Sequence, residues 1–95
     1  MTEQDRVERD VEIVNRAGMH ARPAAEFVKL AGRFRSEITV AKDGLSVNGK
    51  SIMGVLMLAA AQGSRLKVVA QGEDAEDAVQ ALEQLVSSGF DEIEA

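Results

Sequence analysis

The apolar residues of this chain follow two different periods, and the order of those periods limits the fold more than any other feature. A two-residue alternation predicts strands over 7–14, 37–48 and 66–71. The dipeptide Asp43-Gly44 favours a tight hairpin, so 37–48 is predicted to form two short antiparallel strands. Helical spacing predicts helices over 23–32 and 75–88, and the apolar run 52–61 predicts a third between them. The order strand, helix, strand, strand, helix, strand, helix predicts an α+β domain.

Residues with preferences for helix ends flank the predicted helices. Pro23 suits a first turn, where its missing N–H costs little. Ser51 is a good N-cap for the second helix. Asp74 and Asp77 occupy the two positions of a capping box at the start of the third helix, and Gly89 can end that helix.

The composition predicts a soluble globular domain without a metal or a cofactor. The length of 95 residues predicts one domain over 1–95, with 1–7 as a mobile lead-in and 89–95 as a tail. The chain has no cysteine and one histidine, which argues against a metal site, and its net charge of −5 argues against nucleic-acid binding. The run 52–61 is shorter than the roughly 20 residues of a membrane span, and the charged N-terminus does not resemble a signal peptide. We expect a cytoplasmic protein, with a monomer as the default state.

The stretch GLSVNGKS, residues 44–51, matches the phosphate-binding P-loop pattern at every fixed position. A P-loop turns tightly between a buried parallel strand and a helix. Here the first glycine belongs to a hairpin signature, and Leu45 and Val47 alternate as they do in a strand. The stretch is better divided into a turn at Gly44, a short strand through Val47 and a helix cap at Ser51.

The loop NRAGMHARPAA, residues 15–25, holds the single histidine, His20, just before a predicted helix. A neutral imidazole is a nucleophile that can accept a phosphoryl group and release it again. The helix N-terminus supplies free N–H groups, and Arg22 can pair with phosphoryl oxygens. On the residues of this loop alone, an ordinary surface histidine near a helix cap is the favoured interpretation.

Four stretches of the sequence carry a family resemblance: GMHARPAAEFVKLA (18–31), SEITV (36–40), NGKSIMGVLMLAAAQG (48–63) and GEDAEDAVQALEQL (72–85). Over about residues 8–88 the chain resembles the HPr family, the histidine-containing phosphocarriers of the phosphoenolpyruvate:sugar phosphotransferase system. The resemblance implies an open-faced sandwich, in which three helices cover one side of a four-stranded antiparallel sheet (βαββαβα).

The resemblance also implies roles for residues of the histidine loop. His20 would accept a phosphoryl group on Nδ1 from the first enzyme of the system, phosphoenolpyruvate-protein phosphotransferase, and pass it to the A domain of a sugar permease. Arg22 would steady the group, and Pro23 would set the helix start and the orientation of the ring. Such a protein is a phosphoryl carrier and not an autonomous enzyme. Two departures from many relatives concern the site: Ala17 replaces a small polar residue, and Ala59 replaces glycine.

The resemblance implies a second site at Ser51. In many relatives, an ATP-dependent HPr kinase/phosphorylase modifies the matching serine and thereby adjusts sugar uptake and carbon-catabolite control through a transcriptional regulator. A phosphoserine at a helix N-terminus is tolerated, so its effect is expected on partners.

The second predicted helix is apolar around most of its circumference, which leaves two interpretations open. It is either a fully buried short helix or a docking patch that several partners share. The predicted contact residues are Ile52, Met53, Val55 and Leu56, together with Phe27 and Lys29 on the first helix.

Three functions therefore stay open at this stage. The first is a phosphocarrier. The second is a regulatory interaction module that acts mainly through Ser51, with a nitrogen-type phosphorelay as a variant. The third is an ATP-binding P-loop protein.

Overall fold

A computed structural model describes residues 5–92, which form one four-stranded antiparallel sheet and three α-helices. The strands are β1 (Arg6–Glu12), β2 (Glu37–Lys42), β3 (Leu45–Asn48) and β4 (Arg65–Gln71), in the spatial order β1-β4-β2-β3. The helices are α1 (Ala21–Ala31), α2 (Ile52–Met57) and α3 (Ala75–Ser87). This arrangement confirms the predicted α+β open-faced sandwich.

The two periods of the sequence explain which side of each element is buried. In β4, the alternate residues Leu66, Val68 and Ala70 are buried, whereas Arg65 and Lys67 are exposed. Both α1 and α3 bury one stripe. The strands therefore present one face to the helices, and the core lies between the two layers.

The second helix is four residues shorter than predicted, because it ends at Met57 and not at residue 61. Ala59 has a left-handed backbone with φ of +48°, which ends the helical path. The carbonyl of Ala60 then accepts a hydrogen bond from the backbone N–H of Met19 at 2.8 Å. The segment after α2 thus contacts the loop before α1, a pairing that helical spacing does not indicate.

The predicted capping box at the start of α3 is wrong. Asp74 is the N-cap residue, but its side chain makes no capping hydrogen bond. Its carboxylate instead accepts from the backbone N–H groups of Arg35 and Ser36, both at 2.9 Å, and from the hydroxyl of Ser36 at 2.5 Å. The Ser36 hydroxyl is the largest of the causes that hold the pKa of Asp74 below its usual value, followed by the N–H of Arg35.

Regular structure extends into the segments predicted as the lead-in and the tail. Strand β1 begins at Arg6, and a 3₁₀ turn, Gly89–Asp91, follows α3 and buries Phe90 completely. Residues 1–4 of the predicted lead-in and 93–95 of the predicted tail lie outside the described residues. Within 5–92, no helix is long and apolar enough to cross a bilayer.

Candidate functional site

His20 is the N-cap residue of α1, with an extended backbone (φ −81°, ψ −171°). Its side chain is 43% exposed and makes no capping hydrogen bond, so the imidazole is accessible for chemistry. Its carbonyl accepts from the N–H of Ala24 at 3.0 Å and closes the first turn. Pro23 lies buried in that first turn, as predicted, where a missing N–H leaves no helical hydrogen bond unmade.

The loop before His20 is held by a close approach to the segment after α2 and by a hydrogen bond from Asn15. Gly18 has φ of +71°, a conformation that favours glycine. A Cβ at this position would lie 2.6 Å from the carbonyl oxygen of Ala60, so the two segments also approach too closely for a side chain. The buried side chain of Asn15 donates from Nδ2 to the Gly18 carbonyl at 2.8 Å. These contacts hold the backbone that leads to His20, and the neighbouring Ala17 is exposed.

Arg22 lies two residues after His20 and is surrounded by acceptors. Its Nη2 donates to Glu92 Oε2 at 2.8 Å and to the Phe90 carbonyl at 3.1 Å, and its Nη1 pairs with Glu26 one helical turn further on. An arginine that already holds carboxylate oxygens beside the imidazole is well placed to hold phosphoryl oxygens there.

Glu92 connects the groups of the site. Its Oε2 lies 2.7 Å from Nε2 of His20 and 2.8 Å from Nη2 of Arg22, and its Oε1 accepts from Nδ2 of Asn15 at 2.8 Å. The hydrogen bond from Arg22, followed by those from Asn15 and His20, lowers the pKa of Glu92 to about 2. The sequence analysis assigned no role to Asn15, although it is the first residue of the histidine loop, or to Glu92, which is 72 residues from the histidine.

Ser51 is the N-cap residue of α2, as predicted, and its hydroxyl accepts from the N–H of Gly54 at 3.1 Å. It is partly exposed, next to Ile52 and Met53, whose side chains are 40% and 69% exposed. The structure therefore places Ser51 at the N-cap of one helix and His20 at the N-cap of another, and these two helices pack against each other.

The predicted docking patch needs two corrections. Phe27 and Val55 are fully buried in the core, so neither side chain is available to a partner. Helical spacing turns both inward, while Lys29 and Met53 stay exposed and Leu56 is partly buried. Met57, which the apolar pattern of this helix also predicts as suited to a docking surface, is 66% exposed.

The stretch 44–51 does not form a phosphate-binding loop. Asp43 and Gly44 form the turn between β2 and β3 with positive φ at both residues, residues 45–48 are the strand β3, and Ser51 caps α2. Among residues 5–92, no group of three His, Asp or Glu side chains is arranged to hold a metal ion.

Comparison with known proteins gives consistent matches over most of the chain. A family model described as "PTS HPr component phosphorylation site" matches residues 7–88. The phosphocarrier protein HPr of Treponema pallidum is 48% identical over 86 residues, which cover 90% of this chain and 98% of that protein. The HPr-like protein Crh of Halalkalibacterium halodurans is 49% identical over 76 residues, which cover 80% and 90% of the two chains. The crystal structure of HPr-C-His from Thermoanaerobacter tengcongensis is similar with a TM-score of 0.89 at 48% identity, covering 93% of this chain and 99% of that one.

Proposed function

The chain belongs to the HPr family of phosphocarrier proteins of the phosphotransferase system, and from that premise we propose that His20 is its phosphoryl acceptor. In this proposal the donor is the phosphorylated first enzyme, and the acceptor of the next step is the A domain of a sugar permease. The exchange takes place in the cytoplasm. The protein is a carrier and not an autonomous enzyme, in keeping with its family.

The proposal rests on one observation: His20 and Arg22 both contact the Glu92 carboxylate. Both side chains lie within 2.8 Å of one carboxylate oxygen at the start of α1, so the site already binds an anion. In the transfer, a ring nitrogen of His20 attacks phosphorus, and the bond between phosphorus and the donor enzyme breaks with its electron pair going to the donor. Arg22 then pairs with the oxygens of the transferred group.

We assign partner binding to side chains of α1 and α2 that are exposed or partly exposed. Ile52 and Met53 of α2 are exposed, and methionine adapts to partners of different shape. Leu56 is partly buried, and the exposed Lys29 of α1 adds a positive charge that would attract acidic partners. We predict that the protein is a monomer.

The proposal is tested by incubating the protein with phosphoenolpyruvate and the first enzyme. The expected product is an acid-labile adduct of one phosphate, absent in His20→Ala and formed more slowly in Arg22→Ala. Arg65→Ala is the matched control, because it removes an exposed arginine of β4 that has no role in the proposed site, and it should leave adduct formation unchanged. A wild-type mass that stays unchanged would refute the proposal.

A second role, regulation through Ser51, is proposed alongside the first. Its support is a partly exposed hydroxyl at the start of α2, beside the apolar side chains assigned to docking. A phosphoryl group there would place about two negative charges next to Ile52 and Met53 and so change partner binding. One relative is named an HPr-like protein, Crh, and the similar Crh of Bacillus subtilis is described as a catabolite repression HPr, which supports a regulatory alternative to sugar transport.

The regulatory role is tested with an HPr kinase/phosphorylase and ATP. The expected product is an acid-stable phosphoryl group that is lost in Ser51→Ala but kept in His20→Ala, so the two modifications can be counted separately. Binding of the modified protein to a catabolite-type transcriptional regulator then distinguishes regulation from simple modification. A kinase reaction that leaves wild type and Ser51→Ala with equal label would refute the assignment of this site.

A further inference from the structure

One hydrogen bond at the site determines which nitrogen of His20 carries the proton. Glu92 is ionised at neutral pH, because the contacts described above lower its pKa to about 2. An ionised carboxylate can only accept hydrogen bonds. The nitrogen 2.7 Å from Glu92 Oε2 is Nε2, so Nε2 must be the donor. In a neutral ring the lone pair then lies on Nδ1, and Nδ1 has no hydrogen-bond partner among residues 5–92.

We propose that Glu92 is a positioning residue that directs phosphoryl transfer to Nδ1 of His20 by holding the proton on Nε2. This inference rests on the proposed role of His20 as the phosphoryl acceptor. Glu92 lies outside the histidine loop and selects between the two ring nitrogens of His20, either of which could otherwise attack phosphorus.

Glu92 is itself held in place from two directions. Its side chain is only 18% exposed, although it follows the last turn of the described chain. The buried Asn15 holds Oε1 by a hydrogen bond, and the same Asn15 Nδ2 holds the carbonyl of Gly18 in the histidine loop. Arg22 holds Oε2 on the side of α1. The carboxylate therefore has a defined position relative to the ring and is not a freely moving surface charge.

The backbone leading to Glu92 also indicates a fixed position. Phe90 and Asp91 both have φ of +57°, a left-handed conformation that is uncommon for residues other than glycine. Phe90 nevertheless keeps it, because its side chain is completely buried. The chain returns to an extended conformation at Glu92 and brings the carboxylate to the imidazole. Burial of Phe90 thus determines where Glu92 lies.

The proposed effect follows from the electron balance of the transfer. The lone pair of Nδ1 forms the new N–P bond while the bond between phosphorus and the donor breaks and its electron pair leaves with the donor. The proton stays on Nε2 throughout, so the ring becomes positively charged and faces the carboxylate of Glu92. A carboxylate in this position stabilises the developing charge, as the aspartate of a Ser-His-Asp triad does for its histidine. Attack through Nε2 would first have to break the hydrogen bond to Glu92.

The test uses phosphoramidate, a small phosphoryl donor, so that no partner protein is needed. Here the same N–P bond forms and ammonia leaves with the electron pair of the broken P–N bond. The wild type, Glu92→Ala, Glu92→Gln and Asp91→Asn are sampled at early times, and the coupling of each ring nitrogen to phosphorus identifies the isomer by NMR. Asp91→Asn is the matched control, because it removes an adjacent exposed carboxylate. The ratio of the two isomers is measured within one reaction, so it is independent of the overall rate and of partner binding.

The wild type is expected to form Nδ1-phosphohistidine almost exclusively. In Glu92→Ala the share of the Nε2 isomer should rise roughly three- to tenfold, the range expected for losing a partly exposed charge-assisted hydrogen bond. Glu92→Gln keeps an acceptor without the charge and should lie between them, while Asp91→Asn should match the wild type. Equal isomer ratios in the wild type and Glu92→Ala, or an equal rise in Asp91→Asn, would overturn the inference. Failure of the wild type to accept phosphate from the first enzyme would instead refute the proposed function, so the two failures are distinguishable.

Discussion

Replacement of Gly18 by alanine is the most direct test of how the loop before His20 is held. Two costs apply at this position. The left-handed backbone, with φ of +71°, disfavours any residue with a Cβ, by about 1–2 kcal/mol. The added Cβ would also lie 2.6 Å from the Ala60 carbonyl oxygen and 3.0 Å from the Ala61 Cα, and both are backbone atoms.

The steric cost at Gly18 cannot be relieved by a side-chain rotation. Ordinary van der Waals contact needs about 3.5 Å, so the Ala60 carbonyl would have to move by nearly 1 Å. That carbonyl also accepts the hydrogen bond from Met19 at 2.8 Å. Overpacking of this kind costs about 1–3 kcal/mol. The expected destabilisation by Gly18→Ala is therefore about 2–5 kcal/mol in total.

Gly44→Ala is the matched control, because it separates the conformational cost from the steric one. Gly44 also has a positive φ, of +86°, but a Cβ there would meet nothing within 4 Å. Its loss should be only about 1–2 kcal/mol. Urea unfolding of both variants measures the difference, and in a domain of this size each kcal/mol also lowers Tm by about 4–8 °C. If Gly18→Ala and Gly44→Ala were equally stable, the close approach to Ala60 would not constrain the loop, and the reasoning would be refuted.

Three further predictions concern the second helix start, the end of the chain and the site carboxylate. Ser51→Ala removes the hydroxyl that accepts from the Gly54 N–H and should cost about 1 kcal/mol in urea unfolding, whereas Ser46→Ala in exposed β3 should change stability by less than about 0.5 kcal/mol. Phe90→Ala should cost about 3–5 kcal/mol, because Phe90 is fully buried, and it should cost more than Phe34→Ala, whose side chain is half-buried; a smaller loss at Phe90 would mean that the turn after α3 does not pack on the core. The pKa of Glu92 is lowered from the ordinary value of 4.5 to about 2 in the folded protein. The ionised carboxylate therefore contributes its full stabilisation above pH 4.5, and this stabilisation decreases below pH 4.5 and is lost as the pH falls through about 2. The stability difference between wild type and Glu92→Gln, measured by urea unfolding from pH 7 to pH 2, should therefore shrink over this interval, and a difference independent of pH would contradict the assignment.

The sequence predicts the layers of this fold well, because burial on one face imposes a period on each element. In β4 the buried residues Leu66, Val68 and Ala70 alternate with polar or less buried ones, as a strand with one covered face requires. The hairpin at Asp43-Gly44 was also predictable, since few residues other than glycine and Asp or Asn accept positive φ at low cost.

The ends of helices were less predictable. Several end points suit the local sequence equally well, and hydrogen bonds to distant residues determine which one the chain adopts. Residues 58–61 are apolar and suit a helix, yet the N–H of Met19 binds the Ala60 carbonyl and the chain leaves the helical path at Ala59. Asp74 suits an N-cap, but the N–H groups at the end of the loop after α1 attract its carboxylate instead. In both cases the competing partner lies about 40 residues away in the sequence, so no local pattern indicates it.

The candidate site also combines residues that the sequence predicts with a residue that it does not. His20, Arg22 and Pro23 lie within four residues, so their chemistry is readable from one loop. Glu92 follows the last helix, and only the packing of α3 and the burial of Phe90 bring it to the ring. A carboxylate in an acidic tail carries no signal of this role, because its charge alone predicts solubility.

The partners of Arg22 give a physical reason why a carrier of this kind can release its phosphoryl group. In the unmodified protein, Arg22 already pairs with Glu26 and Glu92 and donates to the Phe90 carbonyl. In the proposed phosphocarrier, the new phosphoryl group therefore does not meet a free guanidinium but competes with carboxylates of the same chain. The stabilisation that Arg22 gives to the phosphorylated state is the difference between two charge-assisted contacts, not the full value of one. Because Arg22 is half-exposed and ion pairs of solvent-exposed groups are individually weak, that difference is small, and Arg22 can steady the transferred group without trapping it.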